Sequence, residues 1–370
     1  MQKRILMILG MLVMVMMMGI LPVVAQEETA VAPITEITWT CPSGYEGQTL
    51  VLYNWLYFIS DTAIAEFETR CGVRVRLETY GSNEELIGSI RQGNPGYDIA
   101  FPADYGIAIM IREELIQPID MTRIPNYANI DDLYKGLSFD PTEAYSVPYL
   151  WGTFGALYNT DVYGEDITSW EQIWNFPGRI GWTDDQRSIL GIVLSELGYN
   201  PNSIDEGELY EALDLLLGYG TNSNLVHISD DPTPLFVRGD LDMVLTYSGD
   251  AFQRIIECEC DNFKYVIPNE GSVLDVESMV LLKDAPNPDL AYLFMDFVHD
   301  PFVSALNTNE TAYGSVNVVA LEAGLIDAEI NDTIIPVADI LENMWVIEDI
   351  GDAEFIFADV WDEFLIAISQ

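Results

Sequence analysis

The sequence predicts an α/β fold organised as two domains, and three observations support this. The chain has 370 residues, which is too long for one compact core and favours two domains. Apolar residues make up 49% of the chain and aromatic residues 11%, enough to fill both cores. Three strand-to-helix units follow one another near the start of the chain, a pattern typical of a parallel sheet with helices on both faces.

The first of these units is centred on residues 50–58. An apolar run rich in β-forming residues ends in Tyr53-Asn54-Trp55, and Ser60 then supplies an N-cap for a helix over 62–70. Ligands of open α/β sheets lie in the loops after the carboxyl ends of strands. Trp55 is therefore expected to face a crevice, with a simple core-capping role as the alternative.

The second and third units follow directly. Alternating residues predict a strand over 73–77, and Ser82 with Glu85 forms a capping box for the next helix. Another strand is predicted over 97–101, before a helix that contains Tyr105. These units complete the first α/β region.

A second α/β region is expected to begin at about residue 153. Thr168-Ser169-Trp170-Glu171 is interpreted as a further capping box. Strands are predicted over 179–183, 241–246 and 263–268. The largely apolar run over 277–282 is typical of a buried parallel strand, and the helix over 288–299 ends before Asp300-Pro301.

The formal net charge of −45 excludes two classes of partner. With 60 acidic and 15 basic residues, the surface repels nucleic acid and anionic membranes. Its field would steer a small cation inward, but solubility in a salty or acidic medium also explains such a charge. The composition permits a cationic ligand without requiring one.

The N-terminus is typical of an exported protein. Lys3 and Arg4 precede an apolar run that ends at Ala25, which predicts a signal peptide over 1–25, with an uncleaved membrane anchor as the alternative. Residues 26–48 are interpreted as a tether. We expect the chain to act in the periplasmic space or at the outer face of the cytoplasmic membrane.

Four cysteines in an exported chain are candidates for disulfides. Cys41 and Cys71 precede the first and second predicted strands, so that adjacent strands would bring them within bridging distance, and we predict this pair. Cys258 and Cys260 are separated by one residue, which leaves open whether they form a disulfide. No metal site is predicted, because no histidine lies near the Cys-x-Cys pair.

Aromatic residues and carboxylates alternate at the predicted strand ends. Aromatic rings attract cations and cover methylene groups, while carboxylates accept charge-assisted hydrogen bonds from ammonium groups. The set suits an aliphatic polycation. Its members are Trp55, Tyr105, Asp184, Asp185, Tyr247 and Glu277.

Collinear motifs from about Thr49 to about Phe364 resemble the bacterial polyamine-binding proteins of ABC transporters, typified by the spermidine/putrescine-binding protein. Their order along the whole region makes the resemblance specific. The motifs are Tyr53-Asn54-Trp55, 79–84, 97–102, 145–152, 168–170, 183–185, 229–230, 249–252 and 268–271.

The resemblance implies the type II periplasmic-binding-protein fold, in which hinge crossovers join two α/β lobes with the ligand cleft between them. Lobe 1 would comprise 49–152 plus 276–321, and lobe 2 would comprise 153–275 plus 322–370. It also implies the ligand contacts. The aromatic walls would be Trp55, Tyr105, Tyr247 and Tyr313, the acids Asp185 and Glu277, and the polar contact Ser229, while Phe58 and Asp275 occupy two further contact positions with side chains that differ from the family's.

Several of these positions depart from the family pattern. Phe58 stands where a tyrosine is frequent, and Asp275 replaces an aromatic residue that stacks on the ligand. Ser188 stands in place of a glutamate, Ala103 in place of a serine, and Val346 in place of a glutamine. The site thus exchanges one aromatic wall for an acid, which leaves the preferred polyamine length open.

The leading hypothesis is an exported binding protein that captures putrescine or spermidine and delivers it to the permease of an ABC importer with a cytoplasmic ATPase. Another small cation or amine is the alternative within this class. We expect a monomer that requires no cofactor.

Two other classes of function fit the sequence less well. A carboxylate-dependent hydrolase would use Asp184 and Asp185, but adjacent strand residues point to opposite faces. His299 lies in a core-packing helix, and the sequence has no nucleophile, metal or phosphate-loop pattern. We therefore predict no enzymatic activity. A surface scaffold without a ligand is the third class.

Overall fold

The structure, a computed structural model, describes residues 34–222, 224–327, 340 and 342–369. The predicted signal peptide or anchor over 1–25, and the first part of the predicted tether, lie outside the described residues. Among the residues described, no helix has the length and apolar character needed to cross a membrane.

The strands alternate with helices along the chain, as predicted. The strands are β1 Thr49–Trp55, β2 Arg74–Tyr80, β3 Ile99–Ala100, β4 Ser146–Asn159, β5 Ile180–Thr183, β6 Leu225–Ser229, β7 Met243–Tyr247, β8 Phe263–Val266, β9 Leu274–Leu281 and β10 Gly314–Ser315. The helices are α1 Asp61–Cys71, α2 Asn83–Ile90, α3 Asp104–Arg112, α4 Thr160–Tyr163, α5 Trp170–Trp174, α6 Gln186–Glu196, α7 Glu206–Asn222, α8 Thr233–Val237, α9 Ser248–Cys258, α10 Pro288–Val298, α11 Pro301–Thr311, α12 Val318–Glu322 and α13 Glu354–Ile368.

The predicted helix starts are observed, with adjustments in their hydrogen bonds. Ser60 caps α1 by accepting from the backbone N–H of Ala63, and Ser82 caps α2 in the same way. The capping box of α5 pairs Ser169 with Gln172 at the third helical position, one residue beyond the Glu171 expected from the sequence.

The strands join in one continuous path, β2-β1-β3-β9-β4-β7-β5-β6. β1 is parallel to both β2 and β3, and β5 is parallel to both β6 and β7. The expectation of a parallel strand over 277–282 is wrong, because β9 runs antiparallel to β3 and to β4. Its apolar character reflects burial on both faces, which either direction of pairing produces.

β4 connects the two parallel parts of the sheet. Its first half pairs with β9 and its second half with β7 and β8. Every residue of β4 except the last is buried. The pairing with β9 shifts between Pro148 and Leu150, as expected where proline lacks the N–H that a regular ladder needs.

Separate hydrophobic cores lie on the two sides of this junction. One core packs α1 and α10 against β1, with Phe67, Phe294 and Phe297 at its centre. The other packs α5, α6 and α13 around Trp170 and Trp182. A further core packs α2 and α3 against the first part of the sheet, and a smaller one lies beside β7 and β8. The structure is therefore two α/β lobes with separate cores.

The chain before β1 is part of the first core rather than a tether over its whole predicted length. Ile37 and Trp39 are buried, and the indole Nε1 of Trp39 donates to Asp296 Oδ2 over 2.8 Å. Asp300 Oδ2 accepts from the backbone N–H groups of Thr38 and Trp39. Burial of two large side chains and these bonds explain why this segment packs on the lobe.

Both cysteine pairs are bridged in the structure. Cys41 bonds to Cys71 with a Cα–Cα distance of 5.2 Å, and Cys258 bonds to Cys260. The first bridge spans 30 residues of sequence and the second only 2. The first therefore restricts the unfolded chain far more than the second.

We expect the double variant Cys41→Ala/Cys71→Ala to lose about 3–4 kcal/mol of unfolding free energy, because it releases the longer loop in the unfolded state. Denaturant unfolding, monitored by tryptophan fluorescence, measures the loss. The matched control is Cys258→Ala/Cys260→Ala, whose bridge closes almost no loop. This variant should lose much less unfolding free energy. Equal losses in the two variants would contradict this account.

Candidate ligand-binding site

A cavity of about 710 Å³ opens where the ends of β1, β5 and β7 meet the middle of β9. Eight of the nine predicted contact residues line it, and Ser229 does not. The eight are Trp55, Phe58, Tyr105, Asp185, Tyr247, Asp275, Glu277 and Tyr313.

Trp55 is held at the cavity by its own hydrogen bond. It is the last residue of β1, and its indole Nε1 donates to the carbonyl oxygen of Phe101 over 2.8 Å. Its ring packs on Tyr80 with a centroid distance of 4.6 Å. The side chain is half-buried, so that one part of the indole supports the sheet edge and the rest faces the cavity. Both interpretations of Trp55 thus describe part of its environment.

Phe58 and Tyr313 form a second aromatic wall. Their rings meet edge to face with centroids 4.5 Å apart, and both are buried. Gly249 makes this position of Tyr313 accessible, since a Cβ atom on Gly249 would lie 2.0 Å from the tyrosine ring. The glycine of the 249–252 motif therefore has a packing reason that involves the site directly.

Asp185 is fixed by four hydrogen bonds. It caps α6 by accepting at Oδ1 from the backbone N–H groups of Arg187 and Ser188. Its Oδ2 accepts from the hydroxyl of Ser188 over 2.7 Å and from the hydroxyl of Tyr247 over 2.8 Å. Ser188, which replaces a family glutamate, therefore orients the remaining acid of this part of the cavity.

Tyr105 reaches the cavity from the start of α3. Its hydroxyl donates to Glu84 Oε1 over 3.1 Å, and the guanidinium of Arg187 lies 5.7 Å from its ring centroid. Tyr105 of α3 therefore contacts Glu84 of α2 and Arg187 of α6 across the cavity.

Asp275 and Glu277 are the most deeply buried acids of the cavity wall. Both project from the same face of β9, and their exposed fractions are 7% and 5%. The expectation that Glu277 stands at a strand end is wrong, because β9 begins three residues earlier and places Glu277 in its middle. Burial is the largest cause that raises the pKa of Asp275 to about 7, and burial followed by the charge of Asp275 raises the pKa of Glu277 well above its usual range.

Asp104 is a site residue that the sequence analysis missed. It is fully buried between Ala103 and Tyr105, which both line the cavity. Burial, followed by the charge of Asp275, raises the pKa of Asp104 well above its usual range. The available signal was an acid directly before a predicted contact residue at a strand-to-helix junction.

Ser229 differs from its expected place. It ends β6, and its hydroxyl forms a 3.0 Å hydrogen bond with His227 Nε2 on the same face of that strand. The following residues, Asp230 and Asp231, line the cavity instead. The alternation of side chains along an extended chain accounts for this offset. Similarly, Ile347 lines the cavity, whereas Val346, at the position of a family glutamine, does not.

The acid pair considered for hydrolysis has other roles. Asp184 Oδ1 accepts from the indole Nε1 of Trp361 over 2.7 Å, whereas Asp185 caps α6. His299 is buried outside the cavity lining, and burial lowers its pKa to about 3. Among the described residues, no three or more acidic, histidine or cysteine side chains cluster so that they could hold a metal ion.

The motifs that suggested a family are matched by comparisons with known proteins. The model of the bacterial extracellular solute-binding protein family matches residues 62–333. The spermidine/putrescine-binding periplasmic protein 1 of Haemophilus influenzae is 29% identical over 85% of this chain and 88% of its own length. A putrescine/agmatine-binding protein of Pseudomonas aeruginosa is 31% identical over 75% of this chain and 81% of its own length.

Solved structures give the same result. A spermidine/putrescine ABC transporter substrate-binding protein, PotD from Streptococcus pneumoniae, superposes with a TM-score of 0.76 and 31% identity, over 87% of this chain and all of that protein. The predicted fold and the predicted resemblance are both confirmed by these similarities. The chain therefore belongs to the bacterial extracellular solute-binding proteins, with their fold of two α/β lobes around a ligand cleft.

Proposed function

We propose that this protein is an exported receptor that captures a polyamine, putrescine or spermidine, between its lobes and delivers it to the permease of an ABC importer. The observation that supports this most strongly is the pair of buried carboxyl groups, Asp275 and Glu277. Each has an oxygen to which no amide, hydroxyl or guanidinium group of the described residues donates. Buried acids without a cationic partner are strongly unfavourable, so a ligand with ammonium groups matches them.

The charge balance of the cavity supports the same conclusion. Nine carboxylate residues line it, against two arginines. Arg187 pairs with Glu354, and Arg254 pairs with Glu257 over 2.8 Å and with the cavity-lining Asp231 over 3.7 Å, which leaves most of the lining acids without an arginine partner. The excess negative charge is therefore available to a cationic ligand.

The aromatic residues supply the second part of a polyamine site. Trp55, Phe58 and Tyr313 offer apolar surface that can cover methylene groups, and their ring faces attract cations. Acids held by different elements, Asp185 before α6 and Asp275 on β9, can bind separate ammonium groups of one chain-like ligand. A ligand that contacts both would stabilise the closed arrangement of the lobes.

Names of the relatives support the substrate class, because proteins similar to this chain are named for spermidine, putrescine and agmatine. Another small amine or organic cation in the same cavity is the alternative. We further propose the lobe boundaries given by 49–152 plus 276–321 and by 153–275 plus 322–370, a location outside the cytoplasmic membrane, and a monomeric state. Most members of each core fall within one proposed lobe, whereas Phe252 and Ile326 of lobe 2 pack with the core of lobe 1.

A thermal-unfolding panel tests the substrate class. Putrescine, spermidine, spermine, agmatine, choline and maltose are added singly to the purified protein. A ligand present at a hundredfold excess over its dissociation constant stabilises the folded state by about 2.7 kcal/mol, so we expect a polyamine to raise the melting temperature. A shift with choline alone would move the substrate to quaternary amines, and no shift with any cation would refute the proposal.

One substitution of a cavity acid, with a control at an exposed acid, tests the site. We expect Asp185→Asn to weaken polyamine binding roughly tenfold to hundredfold, because it removes a charge-assisted hydrogen bond worth about 1.5–3 kcal/mol. Titration calorimetry measures the dissociation constant. Asp166→Asn, at a side chain that is 75% exposed, is the matched control and should bind normally.

Variants of Tyr247 separate the roles of its ring and its hydroxyl. Tyr247→Phe removes the hydrogen bond to Asp185 and keeps the ring, whereas Tyr247→Ala removes both. We expect a larger loss of polyamine affinity for the alanine variant, because the ring also covers the ligand. Titration calorimetry compares the two, and wild-type affinity in both would remove Tyr247 from the site.

A further inference from the structure

Three buried carboxyl groups meet at one side of the cavity. Asp275 and Glu277 project from β9, and Asp104 is the first residue of α3. The backbone N–H of Ser278 donates to the carbonyl oxygen of Pro102 over 3.2 Å, which brings the start of α3 against β9. The charge of Asp275 raises the pKa values of Asp104 and Glu277, and the charge of Asp104 raises that of Glu277. Asp275 and Glu277 also share a side-chain hydrogen bond, which lowers the pKa of Asp275 and raises that of Glu277.

Each of these acids has an oxygen without a donor. The atoms are Asp104 Oδ2, Asp275 Oδ1 and Glu277 Oε2, and no amide, hydroxyl or guanidinium group of the described chain donates to them. Their residues are exposed by 0%, 7% and 5%. Buried acceptors are nearly always hydrogen-bonded in folded proteins. Within the cluster, the only donor is the carboxyl proton that Asp275 and Glu277 share in a hydrogen bond, so once this proton is lost the donors must come from outside the chain.

We propose that Asp104, Asp275 and Glu277 act as one cluster that releases a proton to solvent when it receives an ammonium group of the ligand. This rests on the proposed function and deepens it. Asp275 and Glu277 line the cavity and accept the N–H groups of the ammonium. Asp104 is buried outside the cavity lining and is a positioning residue, since its charge acts on Glu277.

The direction of the proton transfer follows from the environment of the cluster. Burial raises the pKa of Asp275 to about 7 and holds the other two pKa values well above their usual range. Without a ligand, the cluster therefore keeps protons near neutral pH. An ammonium group supplies the positive charge that these protons supplied, so that a carboxyl O–H bond breaks and the proton passes to the buffer.

The other charged groups around the cluster do not replace the ligand. Arg187 faces Asp104 but pairs with Glu354, and its guanidinium also donates to the carbonyl oxygen of Glu348. Asp185 adds negative charge that raises the pKa of Asp275 further. The neighbouring tyrosines stay neutral because burial raises their pKa values well above 10. These are Tyr80, Tyr149, Tyr247 and Tyr313.

The acceptor oxygens of Asp275 and Glu277 favour a primary ammonium over a quaternary one. A primary ammonium has three N–H donors, whereas a trimethylated nitrogen has the same charge and no donor. A cluster that works by charge alone would accept both groups. A cluster that works by the hydrogen bonds inferred here requires the N–H groups.

Titration calorimetry of the full-length protein with putrescine and with spermidine tests the proposal. It is run at pH 6, 7 and 8, in pairs of buffers that differ in ionisation enthalpy, which gives the number of protons released. For the wild type we expect a release of roughly one proton at pH 7 and a tighter dissociation constant at pH 8 than at pH 6. N,N,N-trimethylputrescine carries one quaternary and one primary nitrogen, where putrescine carries two primary ones. It should bind more weakly than putrescine.

Asp104→Asn supplies the decisive comparison, since asparagine imitates the protonated acid. We expect this variant to bind nearly as the wild type does at pH 6, about tenfold more weakly at pH 8, and with fewer protons released. A purely structural role for Asp104 would change the melting temperature without changing the pH profile. Asp132→Asn, at a side chain that is 96% exposed, is the matched control.

The outcomes separate the two proposals. If the wild type binds neither polyamine, the proposed function is refuted. If the wild type binds without releasing protons, or if Asp104→Asn keeps the wild-type pH profile, the cluster is refuted and the proposed function stands. If Asp104→Asn does not fold, Asp275→Asn replaces it in the same measurement. We expect Asp275→Asn to release far fewer protons than the wild type, and a wild-type proton release in this variant would overturn the proposal.

Discussion

The antiparallel pairing of β4 with β9 is the constraint on which the site depends. β4 runs through both parts of the sheet, and β9 is hydrogen-bonded to its first half between Ser146 and Thr153. This ladder holds Asp275 opposite Gly152 and Glu277 opposite Leu150, in the interior of a strand whose position is fixed on both edges. Moving these acids to solvent would disrupt the ladder between β4 and β9, so the fold itself keeps them buried.

Burial of these acids has opposite effects on the free protein and on the complex. Each acid whose pKa is raised in the folded state destabilises the fold as the pH rises from its usual value towards the raised value, because the unfolded chain loses its proton more easily. A bound cation removes this penalty by supplying the missing partner. The same groups that weaken the unliganded protein therefore contribute to ligand affinity, and a closed cavity strengthens the effect by excluding water.

The errors of the sequence-based expectations have physical causes that are visible at particular residues. The sequence predicts a parallel strand over 277–282, but the strand is antiparallel to both neighbours. Burial on both faces produces an apolar run in either direction, so the pattern does not distinguish them. The segment with Thr38 and Trp39 reads as a tether in the sequence because its partners, Asp296 and Asp300, lie more than 250 residues away along the chain. Ser229 was one residue away from the cavity-facing position, a shift that reverses the side chain in an extended strand.

The sequence by itself determined the local elements and most of the site. Ser60, Ser82 and Ser169 mark helix starts through hydrogen bonds that reach only three residues along the chain, and collinear motifs identified eight residues that line the cavity. The tertiary structure alone decided the direction of β9, the packing of the segment before β1, and the place of Asp104 beside Asp275 and Glu277. These features depend on contacts between residues far apart in sequence, and no local pattern records such contacts.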